Sequence, residues 1–292
     1  MPAGAEAVSD DRVLRGTRWL SLFIAPFLVV AFVLLYLFPA DTQRLFAWTI
    51  TPTMTPMTLA AAYLGGAYFF VRAVRERRWS SIKAGLPAVT IFATLLGIAT
   101  ILHWDRFNHA HPAFWLWTFL YATAPFLVAW AWLANRRYAA PATEDEERIG
   151  ATARGFAAVA GVGAFGWGAV MFIAPTTIIP LWPWALTLLT CRVLGAIFCL
   201  GIAGVWIAAD PRWITVHLML QIEIIMVGSI VVAAVHARSE LIFDKPLTWV
   251  FVGGSTALLL GSAVLWLTHM NLPVPSRPGS DANESPHPTT TT

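Results

Sequence analysis

Residues 184–236 read WALTLLTCRVLGAIFCLGIAGVWIAADPRWITVHLMLQIEIIMVGSIVVAAVH, a stretch with only four charged side chains. Two apolar runs, 184–208 and 213–236, flank the polar turn at Asp210 and Arg212. Each is long enough to cross a hydrocarbon layer as a helix, which takes about 20 residues. One charge interrupts each run, Arg192 in the first and Glu223 in the second. Without them both would be ordinary membrane spans.

Working outward, further stretches free of Asp, Glu, Lys and Arg run over 19–38, 54–71, 84–104, 107–135, 155–191 and 246–276. The stretch 155–191 is too long for one span, and Pro175, Pro180 and Pro183 mark where one helix should end before another begins. The sequence therefore predicts an all-α integral membrane protein of eight transmembrane helices. Composition agrees: 58% of the 292 residues are hydrophobic and 12% charged, with a mean hydropathy of +0.66. A soluble domain, with roughly a quarter of its residues charged, is excluded.

The net charge of +3 does not point to nucleic acid, because the basic residues sit at the ends of apolar segments instead of forming an aromatic-interleaved patch. They are topology signals. With the N-terminus inside, fourteen Lys and Arg fall in inner segments, against Arg44, Arg106, Arg238 and Lys245 in outer ones. That asymmetry places both termini in the cytoplasm, and the chain is expected in a bacterial plasma membrane. The first apolar run is too long for a cleaved secretory signal and is expected to stay. Cys191 and Cys199 are eight residues apart in one helix, too far for a disulfide between them. The tail 271–292, rich in Pro, Ser and Thr, reads as disordered.

The two halves of the chain resemble each other. Arg15-Gly16 opens the first helix and Arg154-Gly155 the fifth; Pro39 closes the first and Pro175 the fifth. MTLAAAYLGGA in the second helix matches LTLLTCRVLGA in the sixth. The third and seventh helices start near Trp79 and Trp213 and end at His103 and His236, and the fourth and eighth begin PAFW and PLTW at Pro112 and Pro246. Four helices per unit is an even number, so the expectation is two parallel four-helix repeats related by an axis along the membrane normal. The units are 1–138 with its polar N-terminal tail, a cytoplasmic linker 139–153, the second repeat 154–270, and the tail. The motif PWALTLLTCRVLGA resembles a PWxLTxLTxRxxGA-like pattern of uncharacterised bacterial multi-pass membrane proteins. That resemblance implies membrane localisation and no activity.

Arg192 and Glu223 are the sharpest candidates for an intramembrane polar site, since an unpaired charge at mid-membrane costs from about 2.5 to over 10 kcal/mol. Their estimated depths nearly coincide, so they are expected to pair across the sixth and seventh helices. The pair reads as a substrate, proton or quinone site or as an ion pair fixing register. The equivalent first-half positions, near Tyr63 and Thr90, are uncharged. His217 and Gln221, one turn apart, share a face that Glu223 does not, which permits a proton relay; the plainer reading is a His bonded to a carbonyl or water. The loop HWDRFNHAHP gathers His103, Asp105, His109 and His111 on the outer side, with His236 as a possible fifth ligand for zinc or copper. The plainer reading there is an interfacial loop with helix-capping residues. Trp19, Trp48, Trp79, Trp104, Trp115, Trp184 and Trp213 lie at expected helix ends, where interfacial belts occur. Gly161, Gly163, Gly166 and Gly168 suggest close packing and a central fifth helix, and Glu144, Asp145 and Glu146 a helix start.

Three function classes follow. One is a transporter or channel for a small solute or ion, using the Arg192 and Glu223 site between the halves. The second is a structural or accessory subunit of a membrane complex, packing against other membrane subunits. The third is a membrane enzyme with a metal at the outer loop, for which neither a base nor a nucleophile can be named. Membrane lipids are partners in every case.

Overall fold

The computed structural model describes residues 10–143 and 146–269. Eight helices long and apolar enough to cross a membrane are present: α1 (Arg15–Leu37), α2 (Met54–Arg75), α3 (Trp79–Leu102), α4 (Pro112–Tyr138), α5 (Ala151–Ile173), α6 (Leu188–Ala209), α7 (Trp213–His236) and α8 (Pro246–His269). The described residues contain no β-strand. The chain is thus an all-α, multi-pass membrane protein. The expected tail at 271–292 lies outside the described residues, as do Glu144 and Asp145.

Helix ends follow local chemistry. Pro112 and Pro246 take the first positions of α4 and α8, where a missing N–H costs nothing. α5 stops at Ile173 and a single turn, Pro175–Ile178, follows. α6 starts only at Leu188, where the Thr187 and Thr190 side chains satisfy each other's backbone N–H groups in a capping box. The expectation of a start near Trp184 was therefore one turn early, because Trp184 to Leu186 precede the cap and are not helical.

Four helices are inner and four outer. Half or more of the most apolar window of α2 and α6 is buried (67% and 50%), and α3 and α7 follow at 44% and 39%. α1, α4, α5 and α8 bury 22% or less. Across the middle α2 packs on α7 and α3 on α6, while α1 lies on α2, α4 on α3, α5 on α6 and α8 on α7.

This arrangement corrects three expectations. α5 is an outer helix. Its Gly161 and Gly168 do meet the α6 backbone, but Gly163 and Gly166 face open space, so the small residues serve one contact and not a central position. Several helix-end tryptophans are not interfacial: Trp48, Trp79, Trp184 and Trp213 are buried, whereas Trp19, Trp104 and Trp115 are exposed. The buried ones plug the ends of the bundle under the loops. Glu146 does not start a helix, since α5 begins at Ala151 with no acidic residue in its first turn; it is an ion-pair partner, described below.

Helix bounds and connecting hydrogen bonds recur along the chain. α1 and α5 both have 23 residues, α2 and α6 both 22, and α3 and α7 both 24. At one end of the bundle the amides of Trp79 and Trp213 donate to the carbonyls of Asp11 and Glu147 (2.7 and 2.8 Å), and those of Val13 and Ile149 donate to Arg77 and Pro211 (3.2 and 2.9 Å). At the other end Asn108 N donates to Ala47 O and Ile242 N to Pro183 O (2.8 and 2.7 Å). The indoles of Trp115 and Trp249 bond the carbonyls of His109 and Phe243. Trp48 packs edge-on against Phe107 and Trp117 beside Phe46, and Trp184 packs against Trp182 and Phe251. Counted from helix starts, Arg192 is fifth in α6 as Thr58 is in α2, and Glu223 eleventh in α7 as Val89 is in α3. By this count the position matching Arg192 falls five residues before Tyr63, and the one matching Glu223 lies next to Thr90. Matching MTLAAAYLGGA to LTLLTCRVLGA slips the two helices by more than a turn, because apolar letters align in many registers.

Candidate functional site

The α2–α3 and α6–α7 turns meet at the end of the bundle that carries most of the Lys and Arg, here the basic end. Asp11 begins the cluster. Its carboxylate accepts from the amide and hydroxyl of Ser80 (both 2.9 Å) at the start of α3 and pairs with Arg78 Nε (3.0 Å). Arg78 Nη2 also pairs with Glu146 (3.0 Å), whose other oxygen takes Arg212 Nη1 (2.9 Å). Arg212, almost fully buried, closes a bidentate pair on Asp210 (2.7 Å for each bond), and Lys83 and Thr215 bond the same carboxylate. Three cations and three carboxylates thereby join the N-terminal segment, the α2–α3 turn, the segment before α5 and the α6–α7 turn.

The electrostatics follow from this geometry. Burial works against the Asp210 charge, but hydrogen bonds and charge from Arg212 and Lys83 outweigh it and hold the carboxyl far below the usual range. Glu146 is likewise depressed, with Arg212 and Arg78 overcoming burial. The bond to Asp210 holds Arg212 in its charged form against burial.

Beside the network lies a cavity of about 250 Å³ lined by Arg72, Glu76, Arg78, Glu146, Glu147 and His217, with Trp213 and Ile214 as an apolar wall and Ser81 at its rim. Its polar lining continues inward between α2 and α7. Arg72 Nη2 bonds Glu76 (2.7 Å), Arg72 Nη1 bonds Tyr68 Oη (3.1 Å) and Gln221 Oε1 (3.2 Å), and Tyr68 donates to the same Gln221 oxygen (2.7 Å). His217 Nδ1 lies 3.0 Å from the Ile214 carbonyl. A carbonyl accepts only, so Nδ1 carries a proton. His217 and Gln221 do share one face, as their spacing requires, and both belong to this site.

The expected Arg192–Glu223 pair does not form. With α6 starting at Leu188, Arg192 lies ~6 Å from the helix end opposite the basic one, while Glu223 lies ~20 Å from that end of α7. Arg192 instead spans α5 and α3: Nε donates to the Phe172 carbonyl (3.1 Å) and Nη1 to His103 Nε2 (2.5 Å). Arginine cannot accept, so His103 is neutral with its proton on Nδ1. Burial and then the charges of Arg192 and Arg106 lower its proton affinity. Glu223 faces Ser262 of α8.

The outer-loop metal site does not assemble. Among the described residues no three His, Cys, Asp or Glu side chains converge as metal ligands must. His103 is engaged by Arg192, His109 Nε2 bonds the Trp104 carbonyl (3.0 Å), and both nitrogens of His111 are used, one by the Ala113 amide and one by the Arg44 carbonyl. His236 ends α7 and Asp105 lies in the turn Trp104–Arg106. The ring nitrogens fasten loops and cap α4. Cys191 and Cys199 are free and buried.

Sequence reasoning missed Arg72, Glu76 and Tyr68, although 68 and 72 are spaced by four on one face of α2 and Glu76 follows four residues on, just past its end. It also read Arg78, Lys83 and Arg212 as topology signals alone. Asp210 lies two residues from Arg212, but the partners of Arg78 and Lys83, and the second partner of Arg212, come from distant loops and leave no local spacing to find. Searches of protein-family models, curated proteins and solved structures return no match to this chain.

Proposed function

We propose that the chain is a bacterial plasma-membrane protein of two parallel four-helix repeats, with both termini in the cytoplasm, that binds a small polar solute or ion between the repeats and carries it across the membrane. The observation that carries this reading is the cavity at the basic end. Its walls come from α2 and the start of α3 on one side and from α7 on the other, with Glu146 and Glu147 from the segment before α5, so it sits at the junction of the two proposed units. Guanidinium, carboxylate and imidazole groups face it together with an indole, a lining that grips a small charged molecule. The polar chain through Arg72, Tyr68 and Gln221 extends from the cavity into the α2–α7 contact.

The recurring helix lengths and loop hydrogen bonds support the repeat, and the concentration of Lys and Arg at one end supports the orientation. The PWALTLLTCRVLGA resemblance is consistent with a bacterial membrane protein. Membrane lipids surround the outer helices.

The test is a thermal-unfolding screen of the purified protein against small amines, amino acids, carboxylates and inorganic ions. The reading expects a solute that raises the midpoint in the wild-type protein and not in Glu147→Gln or His217→Gln. Failure of every solute, together with a stoichiometric protein partner after gentle purification, would replace it with an accessory-subunit role.

A further inference from the structure

We propose that Glu223 and Ser262 form a proton-binding site at the middle of the membrane, with the glutamic acid side chain as the group that carries the proton. Glu223 is the one carboxyl group within the eight helices. It is the eleventh of the 24 residues of α7, which leaves ~15 Å of helix to the basic end and ~20 Å to the other.

Among the described residues no cation is paired with it. Every Lys and Arg of the eight helices stands within about two turns of a helix end. From α1, the Tyr36 hydroxyl donates to the Ser229 carbonyl of α7 (2.8 Å). From α2, Arg72 and Tyr68 meet α7 at Gln221, and Arg72 already holds Glu76. From the first turns of α3, Lys83 is paired with Asp210. The lower part of α6, Ile202–Ala209, has no titratable residue. From α8 comes the buried Ser262 hydroxyl, while His269 is stacked on Trp213 at the basic end. On α7 itself His217 is bonded to backbone carbonyls, and His236 is the last residue.

A bare carboxylate in hydrocarbon with no counter-charge is far less stable than the neutral acid, and the neutral acid needs a hydrogen-bond partner. Ser262 supplies it, since a hydroxyl both accepts from the acid and donates to the carboxylate. The site also has a route to the membrane: α8 is the least buried of the eight helices, with 6% of its apolar window covered. This proposal stands on the α7–α8 contact and is independent of the solute site.

The probe is dicyclohexylcarbodiimide, an apolar reagent, applied to the full chain in membrane vesicles. The acid's proton passes to a carbodiimide nitrogen, the carboxylate oxygen bonds the central carbon, and the adduct rearranges to a stable N-acylurea; no oxidant or reductant is needed. Peptide mass spectrometry should find the adduct on Glu223 near pH 7, at about tenfold the level on Asp210 or Glu146, whose carboxylates are ionised in salt bridges. Labelling should fall as the pH is raised and vanish in Glu223→Gln, and the other carboxyls should be unchanged in that variant. Ser262→Ala should shift the pH at which labelling is half lost. No adduct on Glu223 at neutral pH in folded protein, or protection by sodium ions at constant pH, overturns the proposal, the latter by making the site one for a metal cation.

Discussion

Four glycines of α5 should answer the same substitution with opposite signs. A Cβ built at Gly168 would stand 2.5 Å from the Gly195 carbonyl oxygen and 2.8 Å from the Cys199 amide nitrogen; at Gly161 it would stand 2.7 Å from the Gly201 carbonyl oxygen and 3.0 Å from Gly204 Cα. These are backbone atoms of α6, and no side-chain rotation can clear them. Alanine at either position must push α5 away from α6, opening gaps along a closely packed contact, at about 1 to 3 kcal/mol each. At Gly163 and Gly166 a Cβ meets nothing within 4 Å. Alanine there only removes the conformational freedom of glycine, which favours a helix by up to about 1 kcal/mol. The two classes should therefore differ by roughly 1 to 4 kcal/mol, with Gly161→Ala and Gly168→Ala below the wild-type protein and Gly163→Ala and Gly166→Ala at or above it. Thermal unfolding in one mild detergent, followed by tryptophan fluorescence, reads the order directly. If Gly168→Ala unfolds with Gly163→Ala, α5 does not lie against α6 at this distance and the outer placement of α5 is wrong.

The other expectations concern charge. Arg212→Ala leaves Asp210 with Lys83 and Glu146 with Arg78 in a mostly buried setting, and should destabilise the fold by about 3 to 5 kcal/mol in chemical unfolding; a loss under about 1 kcal/mol would mean the network is hydrated. Because the folded-state proton affinities of Asp210 and Glu146 lie below those of free carboxyls, their contribution is complete above about pH 5 and is lost as pH falls through about 4 and below. The unfolding midpoint should drop on acidification and drop less in Asp210→Asn. Cysteines placed at the exposed positions Asn108 and Ser239 should react with an impermeant reagent from outside the cell, and one at the exposed Arg77 should not; the reverse pattern would invert the orientation.

The number of spans was legible because hydrocarbon thickness sets a length, and the apolar runs of this chain match it between Pro, Gly and charged punctuation. Pro112, Pro175 and Pro246 marked boundaries that the helices obey. Part of the site was legible too: His217 and Gln221 share a face by spacing alone, and Tyr68, Arg72 and Glu76 could have been read the same way. The Asp11–Arg78–Glu146–Arg212 chain could not, since its members lie in four separate segments and meet only when the bundle closes.

Which helices stand inside was decided by the tertiary structure. In water an apolar stripe reveals the buried face of a helix, but lipid is as apolar as a protein core, so the lipid-facing and protein-facing sides of these helices are written in the same residues. That is why glycines on α5 suggested a central helix when only two of the four touch a neighbour, and why tryptophans at helix ends suggested an interfacial belt when several are plugs. The same ambiguity let two apolar helices be matched a turn out of register. Depth along a span could be counted from sequence once its start was known, and the start of α6 depended on a cap at Thr187 that only the folded chain revealed; Arg192 lies close to that start and is bonded to His103.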